Sequence, residues 1–249
     1  YKRQRSQFAV RLRLSISKLL EHSCSNGRYE VRSMPTLIMM HGMTGTAEMM
    51  RPFAEKILPE GWTLLVPDAR FDHPRRGKTW WRYEDEDPDV TRRLQLSRRE
   101  LMDVDSSLSQ LEKLIAEEAP MGPLVVGGFS QGGAMAQEML QLPLADRIVG
   151  IVALGTRLVR PMELKLRLDE LDKKRMFWMH GVRDVRVPIE DGWAVAHLFE
   201  AAGWSIELVE HEKGHMIPTE HHDVLKDWLD NFVNCCLLYT SDAADEGSS

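Results

Sequence analysis

Several short stretches of the chain are almost continuously apolar: Thr36–Met40, Pro123–Val126, Ile148–Leu154 and Met176–Met179. A strand with one wet face would alternate, so unbroken runs of this length predict strands covered on both faces of a parallel sheet. Trp62–Val66 and Trp204–Val209 predict two more strands. The stretches between them follow the helical period instead. Met49, Met50, Phe53, Ile57 and Leu58 share one face until Pro59-Glu60-Gly61 stops the helix. Ser97-Arg98-Arg99-Glu100 is a capping box that opens a helix along Leu101, Val104, Leu108, Leu111 and Ile115, ending before Pro120. A polar helix is predicted over 162–174, another over Ile189–Ala202, and a last one on Leu225, Trp228, Leu229 and Phe232. No internal repeat is visible. Strands alternating with helices predict an α/β fold, a largely parallel sheet covered on both sides.

Such sheets place reaction chemistry in the loops that leave the carboxyl ends of their strands. After Pro123–Val126 comes Gly127-Gly128-Phe129-Ser130-Gln131-Gly132-Gly133, followed by the helix-like run Ala134–Leu140. Strand, glycine-flanked serine and helix in succession are the setting of a nucleophile elbow. The same residues also suit a plain turn whose serine caps the helix. After Met176–Met179, Asp184 is placed to orient an imidazole, although an Asx turn is its alternative use and Asp191 an alternative acid. After Trp204–Val209, His215 follows Gly214 and is the natural general base. His211 falls near the strand end, while His221 and His222 are expected on the exposed start of the last helix. The spacing of His211 and His215 raises a metal site, but the segment is not convincingly one helix and brings no cysteine.

Residues 68–96 show no periodic element and are dense in charge and aromatics, as a functional loop or lid would be. Trp80 and Trp81 carry that reading, because adjacent tryptophans are costly to leave in water. The basic cluster Arg70, Arg75, Arg76 and Lys78 suits an anionic headgroup or carboxylate, or equally a solvated face.

Composition narrows the classes. A chain of 249 residues with 43% hydrophobic content can bury one sizeable core. No apolar stretch is long enough to span a bilayer, which argues against stable membrane insertion. Cys24, Cys235 and Cys236 do not make a disulfide framework, which fits a reducing, cytoplasmic setting. Of the net −6, residues 1–32 hold eight basic and two acidic side chains, leaving −12 on the rest. An acidic body argues against a nucleic-acid partner.

Both ends stand apart. The chain begins on Tyr1, as a fragment or processed chain would. Residues 1–32 form a basic segment. Residues 1–20, with six basic and no acidic residues and with Ser6, Ser15 and Ser17 among them, suit an organellar import segment. Val10–Ser17 also alternates as a first strand, and Leu12, Ile16, Leu19 and Leu20 suit one helix face, so the three readings stay open. Residues 236–249 read as a translated sequencing adapter and are set aside, leaving 33–235 as the domain.

In order, His41-Gly42-Met43, Gly128–Gly133, His180-Gly181-x-x-Asp184-x-x-Val187-Pro188 and Gly214-His215 resemble the acyl-protein thioesterase/carboxylesterase/lysophospholipase family of α/β-hydrolases. The resemblance runs from about Pro35 to Asn234. It implies the α/β-hydrolase three-layer sandwich around a mostly parallel central sheet, with Ser130 as nucleophile, His215 as base and Asp184 as orienting acid. The backbone N–H groups of Met43 and Gln131 would form the oxyanion hole, and no cofactor or metal is needed. The implied partner is an acyl ester or thioester, whether small molecule, lysolipid or acylated protein, with Trp80 and Trp81 as walls of the acyl site. The reading leaves room for a weak homodimer and for a role in lipid metabolism. Two features depart from the family: Met43-Thr44-Gly45-Thr46, where an acidic residue is common, and Trp80-Trp81-Arg82-Tyr83, which matches only loosely. The rivals are a serine peptidase of the same fold, for which a substrate-gating domain has no room, and a non-catalytic binding protein, which would need a broken triad.

Overall fold

The structure, a computed structural model, describes residues 35–83 and 95–238; the basic segment 1–32 and residues 239–249 lie outside them. Six parallel strands form the central sheet: β1 (Thr36–Met40), β2 (Thr63–Leu65), β5 (Leu124–Phe129), β6 (Ile148–Leu154), β7 (Arg175–Gly181) and β8 (Ser205–His211), in the order β2-β1-β5-β6-β7-β8. The unbroken apolar runs split between two cores by simple alternation. Ile38, Met40 and Val126 point to one face, packed beneath α2 (Arg98–Glu118), α3 (Gln131–Glu138), α4 (Pro161–Glu170) and α5 (Ile189–Ala201). Leu37, Met39 and Val125 point to the other, under α1 (Ala47–Ile57) and α6 (His222–Leu238). The capping box holds as written: Ser97 Oγ accepts from Glu100 N at 3.2 Å and Glu100 Oε2 from Ser97 N at 2.7 Å.

Three expectations change. Met49 is 60% exposed, because the buried stripe of α1 runs through Met50, Ala54 and Ile57. His222 is buried rather than exposed, its ring edge-on to Phe53 at 4.8 Å. Part of the 68–96 loop is ordered by a small antiparallel hairpin of β3 (Phe71–Asp72) and β4 (Lys78–Thr79); residues 84–94 lie outside the described ones. Helix α6 runs to Leu238. Among the described residues no helix is long and apolar enough to cross a membrane.

The strand order sets the site. The chain leaves β1 towards β2 on one side and returns to β5 on the other, with Met40 of β1 abreast of Gly128 of β5. The loops after β1 and β5 therefore diverge at one switch point, where a crevice opens above the sheet.

Candidate active site

Ser130 caps the turn between β5 and α3 at φ 55°, ψ −117°. A positive φ disfavours any residue with a Cβ and costs about 1–3 kcal/mol, so the surroundings must hold it. They do. Ser130 N donates to Leu154 O at 2.9 Å, and Thr156 Oγ1 donates to Ser130 O at 2.8 Å. The turn is also tight: a Cβ on Gly128 would stand 2.5 Å from both Met40 O and the backbone of Gly132. Gly128 is thus required by close approach of β1, β5 and α3.

The loop after β1 is held from three sides. Burial keeps His41 from charging, so its pKa lies below the ordinary value, and its Nε2 accepts from Ala69 N at 3.0 Å. That leaves the proton on Nδ1, which donates to Gly42 O at 2.7 Å. Thr44, at φ 67°, donates its N–H to Lys78 O at 2.9 Å, and Lys78 N returns a bond to Gly45 O at 2.8 Å. Trp80 Nε1 donates to His41 O at 2.8 Å. Among the described residues Met43 N–H has no acceptor. Gln131 begins α3, so its N–H is among those a helix leaves without an internal partner. Two backbone donors at the switch point are thereby available for an anion.

Asp184 performs both of the roles the sequence left open, one on each oxygen. Its Oδ1 closes an Asx turn, accepting from Arg186 N at 2.8 Å and Val187 N at 2.9 Å. Its Oδ2 accepts from His215 Nδ1 at 2.6 Å. Burial opposes a charge on Asp184, but the bond from His215 and those from Val187 N and Arg186 N together hold its carboxyl below the ordinary carboxylate range. An ionised Asp184 fixes the proton of His215 on Nδ1 and leaves Nε2 as an acceptor. His180, fully buried, donates Nε2–H to Val187 O at 2.9 Å and braces the same turn. Asp191 makes no contact with His215; it sits in the first turn of α5.

Ser130, His215, Met43, Gln131 and Trp81 line a single cavity of about 1100 Å³. Trp80 is a correction. It does not line the cavity but lies fully buried in the core beneath it, with N, O and Nε1 all bonded, to Gln131 Oε1, Ser107 Oγ and His41 O. Its neighbour Trp81 supplies the wall. His211 ends β8 and accepts from Lys213 N at 3.2 Å.

One side-chain role and one residue of the site lay outside the sequence reading. The side chain of Gln131 ties the elbow to the 79–81 strap: Oε1 accepts from Trp80 N at 3.1 Å, and Nε2 donates to Trp81 O at 3.3 Å. No sequence signal distinguishes this from an exposed amide. Arg157 lines the cavity just past β6, and the strand-end rule that nominated Asp184 and His215 nominates it too.

A family model described as phospholipase/carboxylesterase matches residues 28–233. Acyl-protein thioesterase 1 of Neurospora crassa is 30% identical over 127 residues, which are 48% of this chain and 50% of that protein. The chain spans about half the length of the curated relatives it matches. Among solved structures, esterase PE8 superposes with a TM-score of 0.65 at 20% identity, covering 80% of this chain and 93% of that one. Acyl-protein thioesterase 2 of Zea mays does so with a TM-score of 0.62 at 19% identity, covering 82% and 95%. At such identities the likeness to solved structures speaks for the fold.

Proposed function

The chain belongs to the phospholipase/carboxylesterase family and has its α/β-hydrolase fold, and we propose that it is a serine hydrolase of carboxylic esters or acyl thioesters. Ser130 Oγ attacks the substrate carbonyl carbon while its proton passes to His215 Nε2. The carbonyl oxygen, now negative, is received by the N–H groups of Met43 and Gln131, and one such donor is worth about 10²–10³ in rate. Collapse breaks the ester or thioester bond, and His215 returns the proton to the departing alcohol or thiol. Water, deprotonated by His215, then splits the acyl-Ser130 bond and releases the carboxylic acid. Asp184 stabilises the imidazolium formed in both halves.

The observation that carries this reading is the Asp184–His215 bond of 2.6 Å at the edge of the cavity that also holds the positive-φ Ser130. A binding protein would have no need of an orienting carboxylate behind a histidine. Trp81, Phe129, Ala134 and Val187 offer an acyl chain an apolar bed within the same cavity. The test is hydrolysis of para-nitrophenyl butyrate. Ser130→Ala and His215→Ala should each lower kcat by about 10³ or more, with circular dichroism unchanged. A folded Ser130→Ala variant that keeps most of the wild-type kcat would overturn the assignment.

A further inference from the structure

The end of β6 grips both backbone polar groups of Ser130. Leu154 O accepts from Ser130 N at 2.9 Å, and, just beyond the strand, Thr156 Oγ1 donates to Ser130 O at 2.8 Å. Gly155 between them takes φ 52° and donates its N–H to Met179 O of β7 at 2.8 Å, which anchors the grip to the sheet. Thr156 is 1% exposed, so its bond forms away from competing water. Its methyl has a seat as well: a Cβ on Gly133 would stand 3.0 Å from Thr156 Cγ2 and 2.8 Å from Thr156 Cβ. Both branches of the side chain are therefore in use, the methyl against α3 and the hydroxyl on Ser130, and a β-branched side chain is stiff about χ1.

The carbonyl so held belongs to the same peptide unit as Gln131 N–H. That unit is planar and trans, so its C=O and N–H point in opposite directions and turn together. Ser130 O also accepts from Ala134 N at 3.1 Å, the first intrahelical bond of α3. Two donors thus keep the C=O on the helix side, and the N–H is left facing out from the helix end, where anions bind. The Ser130 ψ of −117° is the torsion about which this plane would swing. The Ala134 bond gives the plane one support from within the helix, and Thr156 gives it a second from outside. Bonds accepted by the carbonyl also strengthen the N–H of the same amide as a donor, by about 10–30% per bond.

Resting on the hydrolase reading above, we propose that Thr156 is a positioning residue for the oxyanion hole: its hydroxyl sets, through the Ser130–Gln131 peptide plane, the direction and strength of the Gln131 N–H. Thr156 itself does not border the cavity. Its contribution is therefore silent in ground-state binding and is felt when the carbonyl oxygen of the substrate becomes negative.

Thr156→Val keeps the shape of the side chain and removes the hydroxyl. Ser130 O retains Ala134 N as donor, so this buried acceptor is not orphaned and the Tm should fall by no more than about 5 °C. Hydrolysis of para-nitrophenyl butyrate should lose about 10-fold or more in kcat/KM, a part of the roughly 10²–10³ that one oxyanion donor is worth. Two inhibitors separate positioning from packing. Hexyl trifluoromethyl ketone takes Ser130 Oγ at its carbonyl carbon; the carbonyl π pair moves to oxygen and the serine proton passes to His215 Nε2, so an oxyanion fills the hole. Hexyl methyl carbinol fills the same space without one. Thr156→Val should weaken the ketone by the same factor as kcat/KM and leave the carbinol within about twofold, and Thr156→Ser should restore most of both losses. An unchanged kcat/KM or ketone affinity in folded Thr156→Val would overturn the proposal while leaving the hydrolase reading intact, as would equal weakening of ketone and carbinol or no rescue by Thr156→Ser. Should Thr156→Val not fold, Thr156→Ala carries the same comparison. A wild-type protein that neither hydrolyses the ester nor takes fluorophosphonate on Ser130 would remove both.

Discussion

Gln131 links the Ser130 turn to the loop that carries Met43 N–H, and its truncation should be felt in both stability and rate. In Gln131→Ala, Thr79 keeps an acceptor, because its one hydroxyl proton can go to Trp81 O at 2.6 Å. Trp81 O likewise keeps that donor. Trp80 N is different: its bond to Gln131 Oε1 is its recorded partner, in a residue with no exposed surface. An orphaned buried N–H costs about 1–3 kcal/mol. The lost side-chain packing adds about 1 kcal/mol, for a total near 2–4 kcal/mol, or a Tm lowered by about 5–10 °C in a domain of this size. The Trp80 strap continues through Lys78 to Thr44 and Gly45, so kcat should fall more than KM rises. Gln131→Glu discriminates further. It keeps the acceptor for Trp80 N but sets a carboxylate oxygen against Trp81 O, so it should not rescue the Tm. Differential scanning calorimetry with steady-state kinetics makes the comparison. A Gln131→Ala protein melting within about 1 °C of wild type would refute the reasoning, because the orphaned amide alone exceeds that.

Asp184→Asn keeps a carbonyl oxygen for Arg186 N and Val187 N but sets an amide N–H against His215 Nδ1, which favours the wrong tautomer; kcat should fall by about 10³–10⁴ with the fold intact. If the variant retains wild-type kcat, another acid orients His215. Glu138 is fully buried at the end of α3, and burial raises its carboxyl from 4.5 to about 7 despite Arg160 at 3.2 Å. Because the folded state holds the proton more tightly than the unfolded one, the carboxyl costs nothing below its ordinary value. Stability is then lost as pH rises from 4.5 through about 7, by at most about 3 kcal/mol. Glu138→Gln should therefore gain stability over wild type between pH 5 and pH 8 in urea titrations. A difference that does not change across that interval would contradict the assignment.

The sheet was legible in the sequence because strands buried on both faces leave unbroken apolar runs, as Thr36–Met40 and Ile148–Leu154 do. The hairpin of β3 and β4 was not. Each strand has two residues, too few for any periodicity, and the fold is held by bridges to Thr44 and Gly45 that come from elsewhere in the chain. Ser130, Asp184 and His215 lie in loops that leave strand ends, where the sequence reading looked for them, but how the side chains there share their contacts was not legible. Two oxygens of Asp184 serve two roles that composition presents as alternatives. Trp80 and Trp81 are both buried in the core, and only Trp81 also borders the cavity, a difference that adjacent positions in a strap do not announce. Nothing in the run Ala134–Leu140 marks Glu138 as a buried position. The structure buries it completely against Arg160.

The most direct test of the central claim is fluorophosphonate labelling of the folded full chain, with the modified residue located by peptide mass spectrometry. The account predicts one adduct, on Ser130, formed in the native protein, abolished by heat unfolding and slowed by His215→Ala. A native protein that takes no label at Ser130, or takes it equally well after unfolding, would contradict it.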